Sequence, residues 1–134
     1  MSNCTDEGSN NMKVVYIAGP YRANTVAGIR RNIEEARMVA EVVWQMGHCA
    51  LCPHLNSALM DGIAPDSLFL DGGIELVKRC DAVVLVPGWD KSMGSHIEVA
   101  IARKHGIPVV TYPALLARGD LETAVKEVQE HESY

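Results

Sequence analysis

The chain has 134 residues, 48% of them hydrophobic and 22% charged, with a formal net charge of −5. This suits one domain with a real core, and the acidic balance leaves no surplus of cations for a nucleic-acid polymer. No apolar run approaches a membrane span and no basic-then-apolar leader opens the chain, so the sequence reads as cytoplasmic with no membrane partner.

Residues 1–12 (MSNCTDEGSNNM) are polar and lack an apolar period, which predicts a disordered tail ahead of a domain over 13–134. The run KVVYIA over 13–18 is continuous and β-branched, the pattern of a central strand buried on both faces. Gly19-Pro20 breaks it, and 21–25 forms a loop into a helix over 26–46. There Ile29, Ile33, Ala36, Ala40 and Val43 recur at three- and four-residue steps, with Arg30, Arg31, Glu34, Glu35 and Glu41 largely opposite. Gly47 ends that helix, and 48–52 supplies a second strand followed by Pro53-His54-Leu55-Asn56. Over 57–80 the pattern is less regular: Asp66 can cap a helix containing Leu68, Phe69, Ile74 and Val77, but Gly72-Gly73 weakens it. A third strand over 82–86 leads into a glycine-punctuated loop ending at Ser95, a candidate N-cap for a helix from about 96 to 105. Gly106 and Pro108 stop that helix, and 107–111 resumes as a strand. A last helix is expected over 121–128, after which the chain should fray.

Alternation of helices with continuously apolar strands implies an α/β fold, a single flavodoxin-like or Rossmann-like three-layer sandwich whose parallel sheet has the order 2-1-3-4. Loops 19–25, 53–56 and 87–95 then meet at the carboxyl edge of the sheet, where such folds bind ligands. Cys49 and Cys52 form a CxxC within an apparent strand, where residues three apart face opposite ways. Cys4 and Cys80 are isolated, so no second close pair completes a zinc site, and a redox CxxC would open a helix. The thiols therefore read as buried and inert.

Glu98 falls in the first turn of the helix from 96, where the dipole favours a charged carboxylate. Tyr16, in an otherwise buried strand, needs a polar partner, either Glu98 or a backbone group. Gly19-Pro20-Tyr21-Arg22 precedes a helix, a usual place for anion contacts, but is neither GxGxxG nor a P-loop; a tight turn with a solvated arginine explains it equally. The loop from Asp90 to Ser95 carries Ser92, Gly94 and Ser95, the ingredients of a phosphate cradle. Asp71 and His54 are residues more often at the surface or structural than catalytic, raised here by their place near the same edge, and Tyr21 and Trp89 either stack on a flat heterocycle or cover the core.

Together these residues resemble the nucleoside 2-deoxyribosyltransferase superfamily, which includes 2'-deoxynucleoside 5'-phosphate N-hydrolases. The resemblance spans about 14–112 and rests on VYIAGPYR, on Asp71, and on GSHIEVAIARKHGIPV. It implies a catalytic set with Glu98 as the nucleophile, Tyr16 as its hydrogen-bonding tyrosine and Asp71 as the aspartate that contacts the base or helps it leave. Transferases of that superfamily carry an aspartate six residues before the nucleophile, and the nucleotide hydrolases a serine. Ser92 stands there, and Arg22 resembles the hydrolases' first-loop arginine, so the resemblance favours a 5'-monophosphate. Pro20 departs from it, replacing a small hydroxyl residue. Asp90, close to Ser92, could partly restore the transferase pattern if the loop shifts. The implied activity is retaining cleavage of an N-glycosidic bond. Base exchange between deoxynucleosides and a non-catalytic nucleotide sensor are the alternatives. The implied partner is a small nucleotide or nucleoside, with a homodimer or higher homo-oligomer expected and no metal or organic cofactor implied.

Overall fold

The computed structural model describes residues 11–56, 60 and 62–132. Four parallel strands, β1 (Val14–Ala18), β2 (Cys49–Leu51), β3 (Ala82–Leu85) and β4 (Val109–Thr111), form one sheet in the order β2-β1-β3-β4. The helices are α1 (Val26–Gln45), the single turn α2 (Pro53–Asn56), α3 (Asp66–Lys78), α4 (Met93–Lys104), α5 (Tyr112–Arg118) and α6 (Leu121–Glu132).

Strand alternation sorts the core into two layers. Val15 and Ile17 of β1 join Ala36, Val39 and Val43 of α1, with Leu115 of α5 and Leu121 and Ala124 of α6, on one face. Tyr16 and Ala18 point the other way, to Val77 of α3 and Val99 and Ala102 of α4. Period 2 in the strand thus decides that the tyrosine faces α3 and α4.

The tail over 1–10 lies outside the described residues; Asn11 and Met12 are exposed. α3 runs through Gly72-Gly73, as one helix containing Leu68, Phe69, Ile74 and Val77 requires, although the two glycines weaken it. α5 was not foreseen: Thr111 caps it, accepting from Ala114 N–H, and Pro113 sits in its first turn, where a missing N–H costs nothing. α6 extends beyond 128 to Glu132. α4 begins at Met93 rather than 96, because Ser92, not Ser95, is the N-cap: the Ser95 N–H donates to Ser92 Oγ at 3.1 Å. Among the described residues no helix is long and apolar enough to cross a membrane.

A helical turn does open directly after Cys52, contrary to expectation, and the Cys52 sulfur accepts from the backbone N–H groups of Leu55 and His54. Burial nevertheless pushes the Cys52 thiol up, and lifts Cys80 to about 11, so neither is a ready thiolate. Cys49 is only partly buried, and Cys4 lies outside the described residues.

Candidate active site

A cavity of about 790 Å³ opens at the carboxyl edge, between the ends of β1 and β2 and the N-terminal turns of α3 and α4. This is the crevice where the winding of the sheet reverses, beside its central strand. Gly19 lets the first loop close onto the end of β3: a Cβ there would sit 2.7 Å from Val86 Cβ.

Inside, the Tyr16 hydroxyl donates to Glu98 Oε2 at 2.6 Å. Tyr16 is 1% exposed and fixed by the core beneath it, so its ring is a rigid post for the carboxylate. Burial, and then the Glu98 charge, raise its pKa far above the ordinary phenol range, so it remains a proton donor. Burial also raises the pKa of Glu98, and the bond from Tyr16 partly offsets that rise. Because α4 starts at Met93, Glu98 is its sixth residue rather than its third. The dipole, which fades within the first turn, is therefore not the main influence on its charge.

The pair is framed by Gly73 of α3. A Cβ at Gly73 would lie 2.7 Å from Glu98 Oε2 and 2.9 Å from the Tyr16 hydroxyl. The glycine that weakened the helix in the sequence is what admits these two polar atoms against the helix backbone.

Two buried side-chain atoms lack a hydrogen-bond partner among the described residues, His54 Nδ1 and Ser95 Oγ, and both residues line this cavity. His54 Nε2 lies 2.8 Å from the carbonyl of Pro20. A carbonyl only accepts, so Nε2 carries the proton and Nδ1 is a bare acceptor. Burial lowers the His54 pKa, with the backbone of Pro20 and of Gly19 acting in opposition, which favours the neutral ring. His54 thereby ties the β2 end to the first loop, and Tyr21 packs edge-on against its ring at 5.8 Å. His54→Phe leaves the Pro20 carbonyl without its donor and is expected to cost about 1–3 kcal/mol, read by denaturant unfolding.

The sequence model of a family described as Domain of unknown function (DUF7768) matches residues 13–112. The chain belongs to this family. No curated protein matches the sequence. Among solved structures, the 2-deoxyribosyltransferase of Bacillus psychrosaccharolyticus is 17% identical with a TM-score of 0.54, covering 73% of this chain and 70% of that one. A conserved protein of Enterococcus faecalis V583 is 25% identical with a TM-score of 0.54, covering 75% and 62%. A 2-desoxiribosyltransferase from Leishmania mexicana is 21% identical with a TM-score of 0.53, covering 74% and 63%. The chain thus spans less than two thirds of the last two. Its fold is that of the 2-deoxyribosyltransferases.

In this DUF7768 domain the cavity brings together Tyr16, Gly19, Tyr21, Arg22, His54, Ser92, Gly94, Ser95 and Glu98. It does not include Asp71 or Trp89. Asp71 is exposed on α3 and lies two residues before Gly73, about 200° around the helix and so on its far face. Asp66, seven residues before Gly73, comes within about 20° of it and lines the cavity instead. Trp89 sits in a 3₁₀ turn after Gly88, its ring 4.8 Å from that of His96, and borders a separate depression with Pro87, Thr111 and Pro113. Asp90 is exposed in that turn and its carbonyl meets His96 Nε2 at 2.8 Å; it is not on the cavity wall. Among the cavity residues that sequence reasoning missed, Gly73 and Asp66 matter most. A glycine within an otherwise helical pattern was the available signal for the first. Asp66 was visible only as a helix cap.

Proposed function

We propose that this domain cleaves the N-glycosidic bond of a (deoxy)nucleoside 5'-monophosphate with retention, using Glu98 as the nucleophile. The observation that carries the reading is the 2.6 Å bond from the Tyr16 hydroxyl to Glu98 Oε2 on the wall of a cavity large enough for a nucleotide. Ionised Glu98 attacks the anomeric carbon as the bond to the base breaks, through an oxocarbenium-like transition state. Water then releases the sugar from the glycosyl-enzyme. Tyr16 holds one carboxylate oxygen, so the other is aimed at the sugar. Ser92, Gly94, Ser95 and Arg22 hold the phosphate. Ser92 Oγ accepts from the helix backbone and keeps its own proton to donate, and the Ser95 hydroxyl is buried with no partner among the described residues.

The test is incubation with a panel of nucleoside and 2'-deoxynucleoside 5'-monophosphates, read by release of free base. Release from the monophosphates supports the reading, and its absence across the panel rejects it. Base exchange is the second reading, favoured by the fold shared with 2-deoxyribosyltransferases. Adding a free base to a deoxynucleoside separates the two, since exchange yields a new nucleoside rather than free sugar.

Tyr16→Phe gives a more specific result. The hydroxyl lowers the Glu98 pKa against the rise from burial, so its removal raises that pKa further. The nucleophile is the ionised form, hence activity is lost as pH falls through the Glu98 value. The acid limb of kcat/KM should therefore move to higher pH in Tyr16→Phe, with a fall of about tenfold or more below the limb. An unmoved limb would mean that Tyr16 does not set the charge of Glu98.

A further inference from the structure

We propose that Asp66 is a specificity-determining residue of the cavity: its carboxylate occupies Arg22 until a ligand bearing a terminal phosphate displaces it. This deepens the nucleotide reading above and rests on it.

Among the described residues, charge on the cavity wall comes from Asp66, Glu75 and Glu98 against Arg22 and Lys91, with His54 neutral. The wall is thus not cationic overall, and a dianionic phosphate needs a guanidinium released from its present partner. Arg22 Nη2 lies 2.5 Å from Asp66 Oδ1, joining the first loop to the start of α3, and both residues line the cavity. Their side chains are 60% and 73% exposed. An ion pair this wet is weak, because water screens it and two side chains must be ordered to keep it. A phosphate with two charges and bidentate geometry is the better partner for a guanidinium.

The surroundings confine the exchange to side chains. Asn32 Nδ2 donates to the carbonyls of Tyr21 at 3.1 Å and Arg22 at 3.3 Å, which pins the loop backbone to α1. Only the Arg22 side chain has to swing. Asp66 is the first residue of α3, whose N-cap, Pro65, offers no side-chain acceptor, so the helix dipole supports the carboxylate once Arg22 has left. An uncharged nucleoside has nothing to offer Arg22 and leaves the pair closed. Asp66 thereby lowers affinity for the monophosphate and is indifferent to the nucleoside.

The test is calorimetric titration of wild type, Asp66→Asn, Arg22→Ala and the double variant with the common 2'-deoxynucleoside 5'-monophosphates and their matching nucleosides. Base release by wild type is measured in parallel. Asp66→Asn should tighten monophosphate binding about three- to fivefold and leave nucleoside binding within about twofold, and Arg22→Ala should cancel the gain. Unchanged or weaker monophosphate binding in Asp66→Asn, equal tightening for nucleosides, or a gain that survives Arg22→Ala would overturn the inference. Turnover without the Asp66→Asn effect sinks the inference alone. The Asp66→Asn effect without turnover upholds the exchange at Arg22 and sinks the N-glycosidase reading. No monophosphate binding by any of the four proteins sinks both.

Discussion

Glu98→Gln is expected to reduce base release by about 10⁴-fold or more while leaving the protein at least as stable as wild type. The amide keeps the shape of the carboxylate and can still accept from Tyr16, but it cannot form the glycosyl-enzyme. Removing the nucleophile of a covalent mechanism typically costs about 10⁴–10⁶ in kcat, the remainder coming from binding and transition-state contacts. The stability side follows from the raised pKa. Folding buries Glu98 and disfavours its ionised form, so the folded state holds the proton more tightly than the unfolded chain. The resulting stabilisation is present at acidic pH, below the unfolded value, and is lost as pH rises through the folded value. Glutamine has no proton to lose. The melting temperature of Glu98→Gln should therefore gain on wild type between acidic and neutral pH. A variant that lost stability and activity together would mark Glu98 as a structural residue. A gain in one with loss of the other marks a group held in a costly state for chemistry.

Period and punctuation made the sheet legible. The β-branched runs ending at Ala18 and Val86 and the apolar stripe of α1 each specify one element with little competition. Thr25 caps α1 by accepting from Gly28 N–H at 3.0 Å. The start of α4 was ambiguous because Ser92 and Ser95 are both good caps. Only packing decides, burying Ser95 to 1% exposure and leaving Ser92 to accept its N–H. That shift of one turn changes the chemistry. It takes Glu98 out of the range of the dipole and makes burial and Tyr16 the controls on its charge. On α3 the difficulty was helical phase. With the helix only weakly specified across Gly72-Gly73, its phase was open, so the residue pattern did not decide which carboxylate shares a face with the site, and Asp71 was nearer in number but opposite in angle.

Gly73→Ala is expected to lower kcat/KM by about 10²-fold or more with little change in stability. In an ordinary helix this substitution stabilises by about 0.5–1 kcal/mol, since alanine restricts the unfolded chain and supports the helix. Here the added methyl would stand 2.7 Å from Glu98 Oε2 and 2.9 Å from the Tyr16 hydroxyl, and both cannot stay. Tyr16 is locked in the core at 1% exposure, so the freer end of Glu98 gives way. Their bond lengthens, and the carboxylate loses its aim. A displacement of about 1 Å at a nucleophile is enough for a loss of that size. Gly72 provides the comparison, because a Cβ there meets nothing within 4 Å. Gly72→Ala should raise stability by about 0.5–1 kcal/mol. Unfolding and kcat/KM measured on both variants separate helix propensity, which the two glycines share, from the contact with the Tyr16–Glu98 pair, which belongs to Gly73. An equal fall in kcat/KM for the two would remove the contact as the cause. A fall confined to Gly73→Ala would mean that α3 tolerates its glycines because bare backbone at that position is what lets the carboxylate and the phenol meet.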